Sequence, residues 1–195
     1  MKIGLLLLLA YFLGSIPFGY LICKYFYKVD IRELGSGNIG ATNVVRSVGK
    51  IPGALVLALD VAKGFLPVFL AVPLGPRVAI ICAAAAILGH SRSIFLKFKG
   101  GKSVATGLGT LLGLAPMVGG VLFFFWLLVL LIGRFVSLAS VTAAILLPCL
   151  MFLFRQPWEF ILFGAMAGLY VVFRHRANLV RLFEGKEPKI GSHAS

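Results

Sequence analysis

The sequence predicts an all-α, polytopic integral membrane protein with seven transmembrane helices, its N-terminus outside and its C-terminus cytoplasmic. Three observations lead there. Of 195 residues, 60% are hydrophobic and only 13% are charged, about half the charged share of a soluble domain. Several apolar runs exceed the ~18 residues that mark a spanning helix. The formal charge of +13 sits in short stretches between those runs, as positive-inside orientation requires. That placement explains the basicity, so no nucleic-acid partner is expected, and disorder, a coiled coil and a disulfide scaffold all fail on composition.

The elements follow in order. Residues 3–23 are uncharged and lack a small-residue cleavage pattern, so they read as the first span rather than a signal peptide. A polar stretch covers 24–50, and an apolar segment covers 51–72, ended by Pro73, Gly75 and Pro76. A third span starts at Val78 and reaches about Leu88, before a second polar stretch over 90–102. The uncharged run 103–133 is too long for one span, since a ~30 Å hydrocarbon core needs about 20 helical residues. Ala115 and Pro116, flanked by Gly113 and Gly119–Gly120, divide it in two. Residues 135–154 and 160–173 supply the last spans ahead of a basic tail.

Charge parity supports the count of seven. It puts Lys24, Lys28, Arg32, Arg46, Lys50, Arg92, Lys97, Lys99, Lys102, Arg134, Arg174, Arg176, Arg181, Lys186 and Lys189 on one side, 15 of the 19 cations. Six spans would put Arg134 and the tail opposite the first two basic stretches and halve that asymmetry. The chain reads as one membrane-embedded domain, 1–195, with 191–195 taken as an appended remnant and His193 given no role. Cys23, Cys82 and Cys149 each lie in an apolar run without metal-ligand spacing, and read as buried, reduced packing residues.

Three polar stretches carry the chemistry. Residues 35–46 read Gly-Ser-Gly-Asn-Ile-Gly-Ala-Thr-Asn-Val-Val-Arg. The string matches GxGxxG, but a dinucleotide fingerprint needs a strand before it, and here a spanning helix precedes. What remains is a glycine turn leading to a helix expected near Asn38, with Asn38, Thr42 and Arg46 at four-residue steps on one face. It reads either as a phosphate cradle or as a capped interfacial helix with a solvated arginine. Residues 98–106 end in Gly100-Gly101-Lys102-Ser103, short of a Walker A loop because Leu96 stands where its first glycine is required. This turn reads as an anion cradle or as a basic flank of a membrane helix. In the third stretch a continued last helix puts His175 and Asn178 on one face while Arg176 and Arg181 point elsewhere. Asp60 and Lys63, one turn apart inside a span, read as a mutual pair or as functional groups. No residue set suits zinc, glycoside or serine-triad chemistry, so no metal or cofactor is expected.

Residues 35–46, 89–106 and 175–187 together resemble the three cytoplasmic signatures of the acyl-phosphate-dependent glycerol-3-phosphate acyltransferases, the PlsY family of bacterial inner membranes, over nearly the whole chain. The resemblance implies acyl transfer from acyl phosphate, not from coenzyme A or acyl carrier protein, to the 1-hydroxyl of sn-glycerol 3-phosphate. It implies Ser36, Arg46, Lys102, His175 and Asn178 as catalytic residues, and Gly37, Asn38, Thr42, Asn43, Gly100, Gly101 and Ser140 as substrate-binding ones. It further implies a metal-free mechanism without a protein general base, substrate phosphate assisting the hydroxyl. Membrane lipids and a transient contact with the enzyme that supplies acyl phosphate are the expected partners. The sequence departs from the family pattern twice: Ser103 follows Lys102 where glycine is usual, and Arg92-Ser93 replaces an aromatic-Pro pair. An organophosphate or lipid-phosphate transporter is the alternative, disfavoured because such sites lie near the bilayer midplane.

Overall fold

The computed structural model describes residues 2–191, so His193 lies outside the described residues. All regular structure among them is helical: α1 (Lys2–Ser15), α2 (Phe18–Phe26), α3 (Ala41–Ser47), α4 (Lys50–Ala71), α5 (Pro76–Ser91), α6 (Val104–Leu114), α7 (Pro116–Gly133), α8 (Val136–Leu153), α9 (Trp158–Arg174) and α10 (Arg176–Phe183). Four stretches, Lys50–Leu74, Pro76–Leu96, Pro116–Gly133 and Val136–Leu153, are long and apolar enough to cross a membrane. α1 and α2 form a pair bent by 45°, and α9 and α10 a pair bent by 57°.

The expected single first span is therefore interrupted. Pro17 has no N–H and cannot continue the ladder of α1, so the chain turns at Ile16 and restarts at Phe18. The long run does break at Ala115, between α6 and α7, but α6 has only 11 residues, well short of the ~20 that cross a hydrocarbon core.

α4 is the hub, packing against α1, α3, α5 and α6, while α7, α8 and α9 pack in sequence beside it. The α4–α6 crossing is close because Gly64 and Gly109 face backbone of the opposite helix, where a Cβ on either would collide. One apolar core, including Val68, Cys82, Val118, Met151 and Phe163, runs through the bundle. A second, with Ile22, Ile31, Val44, Val56 and Leu96, lies under the first polar stretch. Outward-facing Leu5, Phe69, Phe124, Ile132 and Phe152 are exposed, as a lipid-facing surface requires. Cys23 and Cys82 are buried, but Cys149 is exposed on α8, so the packing role expected for all three holds for two.

Candidate active site

Contacts closed across the fold bring the three polar stretches together: Arg174 at the end of α9 bonds the turn ahead of α6, Arg46 of α3 bonds Pro188, and the first two stretches share a cavity. The first is a turn held from inside by Asn43, which is 3% exposed. Its Nδ2 donates to the carbonyls of Ile31, Leu34 and Asn38 at 3.2, 2.9 and 2.9 Å, and its Oδ1 accepts from Ser36 N at 3.0 Å. The amide is engaged by backbone through both its nitrogen and its oxygen, so Asn43 holds the turn that presents Ser36 and Gly37. Gly35 at φ +54° and Gly37 at φ +68° adopt the left-handed backbone the turn needs. The helix expected from Asn38 begins only at Ala41; the Asn38 side chain instead accepts from Gly40 N at 2.9 Å. Thr42 and Arg46 alone share a face of α3.

Ser36, Gly37 and Asn38 line a cavity of about 240 Å³ with Gly100, Lys99, Arg32, Ile39 and Leu96, joining the first and second stretches. The second stretch is pinned at its far end: Gly101 N donates to the His90 carbonyl at 3.1 Å. Ser103, 1% exposed, turns its hydroxyl inward to donate to Ile87 O at 3.0 Å. It therefore adds no side chain to the cavity, and occupies φ +62°, a conformation glycine adopts more easily. The other departure is also absorbed internally, Ser93 Oγ donating to Ser15 O at 2.6 Å.

The last helix does not continue through the third stretch. It breaks at His175, whose Nδ1 is 2.8 Å from the Val171 carbonyl. A carbonyl only accepts, so the neutral ring carries its proton on Nδ1 and leaves Nε2 as an acceptor. Arg174 donates to the carbonyls of Gly100 and Gly101 at 3.1 and 2.9 Å, tying the third stretch to the second. Lys102 Nζ donates to Asn178 Oδ1 at 2.5 Å, Asn178 Nδ2 donates to Glu187 Oε1 at 2.6 Å, and Arg181 Nε donates to Glu187 Oε2 at 2.8 Å. Arg46 reaches the same segment, donating to Pro188 O at 2.8 Å.

Arg181 thus faces the cluster, not away from it as the helical extrapolation required. With Arg174 and Glu187 it completes a set that sequence reasoning missed; opposite charges on either side of Gly185, where the chain reverses, were the available signal. Lys102 lies within the electrostatic reach of four charges, Arg46, Arg174, Arg181 and Glu187. Burial pushes its ammonium down to about 8, Glu187 opposing the shift and the arginines adding to it. Burial likewise lowers Arg46. Burial works to raise the Glu187 carboxyl, but hydrogen bonds from Asn178 and Arg181 outweigh it and leave the group lowered. Arg46 Nε and Arg174 Nε are buried without a partner among the described residues. Four cations against one carboxylate, with unmatched donors, suit a multiply charged anion.

Ser140 stands apart. Its hydroxyl, 2% exposed, donates to Val136 O at 2.8 Å and accepts from Trp126 Nε1 at 3.2 Å, within the α7–α8 pair.

Fold and site together define a multi-pass membrane protein with a cluster of cations gathered at its helix ends. The chain belongs to the glycerol-3-phosphate acyltransferase family, whose model matches residues 4–185. It is 48% identical to a glycerol-3-phosphate acyltransferase of Carboxydothermus hydrogenoformans over 95% of both chains. It is 47% identical to one of Nostoc sp., covering 96% of this chain and 92% of that one. Two crystal structures of PlsY (YgiH), an integral membrane glycerol 3-phosphate acyltransferase, superpose with TM-scores of 0.94 for the glycerol 3-phosphate form and 0.91 for the lysophosphatidic acid form, at 42% and 41% identity. Each covers 98% of this chain and 96% of its own.

Proposed function

We propose that this glycerol-3-phosphate acyltransferase takes its acyl group from acyl phosphate and esterifies the 1-hydroxyl of sn-glycerol 3-phosphate. The hydroxyl oxygen attacks the acyl carbon, the carbon–oxygen bond to phosphate breaks, and lysophosphatidic acid and inorganic phosphate leave. The hydroxyl proton passes to a substrate phosphate oxygen. The observation that carries this reading is the surplus of cations around Lys102, beside a glycine-lined cavity. Two phosphorylated substrates need two anion sites, and a good leaving group lets catalysis rest on positioning and charge stabilisation.

In this scheme Lys102 and Arg46 meet the charge that develops on phosphate. Ser36, Gly37, Asn38, Gly100 and Gly101 cradle the acyl phosphate, Thr42 adds a hydroxyl beside Arg46, and His175 with Asn178 orients glycerol 3-phosphate. Ser140 keeps a supporting place through the α7–α8 pair. The reading also takes the chain as a single domain with seven crossings, α6 and the bent α1–α2 and α9–α10 pairs included. It puts the N-terminus outside and the C-terminus and site in the cytoplasm of a bacterial inner membrane; the distribution of 15 of 19 cations supports this side. The enzyme that supplies acyl phosphate is a transient partner. Fixed gathering of the polar groups at helix ends disfavours a transporter.

Phosphate release by purified protein given palmitoyl phosphate, with and without glycerol 3-phosphate and with a chelator, tests the scheme. Release that depends on glycerol 3-phosphate and survives chelation supports it; release that ignores glycerol 3-phosphate sinks it.

A further inference from the structure

A buried polar network that the chemistry above does not use lies beneath both glycine turns. On α4, Asp60 Oδ1 and Lys63 Nζ pair at 2.7 Å, each side chain 3% exposed. Lys63 Nζ also donates at 2.8 Å to the carbonyl of Ile16, where α1 stops before Pro17. On the other side, Asp60 Oδ1 is 3.7 Å from His90 Nδ1, which is 3.1 Å from Thr106 Oγ1 on α6. His90 meets the second turn twice. Its carbonyl accepts from Gly101 N, and its Nε2 packs so closely on Gly101 that a Cβ there would collide with the ring.

Two routes of contact diverge from the ion pair. One runs from Lys63 through the Ile16–Pro17 break into α2, whose Gly19 lies directly against the Ile39 carbonyl in the first turn. The other runs from Asp60 through His90 to Gly101, next to Lys102. Such a pair is weak evidence for stability, since apolar replacement of a buried ion pair is often neutral or stabilising. Ionisable groups inside a membrane helix carry a cost that calls for a compensating role. The two routes show where that role lies, because they end on the two turns that face the shared cavity.

We propose that Asp60, Lys63 and His90 are positioning residues that hold the 35–40 turn and the 100–102 turn in register across the cavity. The proposal rests on the reading of those two turns as the walls of one acyl-phosphate cradle beside Lys102. Registering them fixes where the acyl carbon sits relative to Lys102 and the attacking hydroxyl, on which rate depends steeply.

The test replaces the pair by apolar residues of similar size, Asp60→Leu with Lys63→Met, and separately deletes one hydroxyl by Thr106→Val. Kinetics with palmitoyl phosphate and glycerol 3-phosphate are read beside melting temperature in detergent and its rise on adding inorganic phosphate, the anion the cradle releases. The expected double variant melts as the unaltered protein does, yet has kcat/KM for palmitoyl phosphate lowered ~10-fold or more and a smaller ligand-induced rise, as a misplaced site requires. Thr106→Val should lower kcat/KM in the same sense with no change in melting. Unaltered kcat/KM in a folded double variant overturns the proposal, and if that variant does not fold, unaltered kcat/KM in Thr106→Val does so. Absence of turnover by the unaltered protein would instead overturn the proposed function; the ligand-induced rise then decides the positioning question, an equal rise in both proteins counting against it.

Discussion

Lys102 and Asn178 stand 76 positions apart, yet the Lys102 ammonium donates to the Asn178 side-chain carbonyl at 2.5 Å. The orientation of that amide is set from its other end. Asn178 Nδ2 is committed to Glu187, which is in turn held by Arg181. A chain of four side chains therefore aims one ammonium, and its two cations, Lys102 and Arg181, supply charged donors that a phosphate can recruit.

Removing the ammonium should remove the activity. Lys102→Ala is expected to lower kcat/KM by ~10²–10³-fold, the range seen when one donor to developing charge is lost. The protein should still insert and elute as a single species, because among the described residues the Lys102 ammonium bonds a side chain and holds no backbone group. Activity within a few-fold of the unaltered enzyme would contradict the role given to it.

The lowered titration of Lys102 gives activity and stability opposite dependences on pH. The ammonium is present in the folded enzyme below about 8, against an ordinary value of 10.5. If charged Lys102 meets phosphate, kcat/KM falls as pH rises through about 8, because that profile reports the free enzyme. Between about 8 and 10.5 the unfolded chain binds the proton that the folded one has lost, so this group's contribution to stability rises with pH across that window. A pH–rate series beside melting temperatures checks both signs, and Lys102→Arg should remove the limb from each.

Asn43 offers a prediction about folding. Asn43→Asp retains an acceptor for Ser36 N but cannot donate to Ile31, Leu34 or Asn38. A buried carbonyl left without its donor costs about 1–3 kcal/mol, and the bond to the Ile31 carbonyl is the buried one of the three. The melting temperature should drop and the KM for palmitoyl phosphate should rise, since the cavity wall at Ser36 and Gly37 depends on the same amide. A stable variant with unchanged KM would show that the turn holds itself.

The residues that the sequence made legible were those whose role is local. Pro116 marked the α6–α7 break because a residue without an N–H dictates its own surroundings. Gly35 and Gly37 marked a turn for the same reason. Long apolar runs gave the helices by composition, and motif resemblance singled out Lys102, His175 and Asn178. Contacts closed over long separations were not legible. The 57° bend at His175 turned Arg181 toward Glu187, against the straight-helix extrapolation. Asn43 was singled out by the resemblance alone; the four backbone hydrogen bonds by which it holds the turn close only in the fold. The partner of Lys63 across the bundle, Ile16 O, depends on a break that no charge pattern reveals.

Glu187 is the carboxylate that faces these cations among the described residues, and its removal should move the alkaline limb in a defined direction. Its charge raises the Lys102 titration while Arg46, Arg174 and Arg181 lower it. Glu187→Gln keeps an oxygen that can accept from Asn178, so the aim of Lys102 survives, but the field from the carboxylate is lost. The Lys102 ammonium then gives up its proton more readily, and the limb in kcat/KM shifts from about 8 to lower pH. The enlarged positive field should also tighten inhibition by inorganic phosphate and make it more sensitive to salt, because partly exposed charges are screened within about a Debye length, ~10 Å at 0.1 M. Measured together, the pH limb and the salt dependence separate charge from packing. A variant that merely loosened the tail would raise KM without moving the limb, and a limb displaced to higher pH would mean that Lys102 is not the group that titrates.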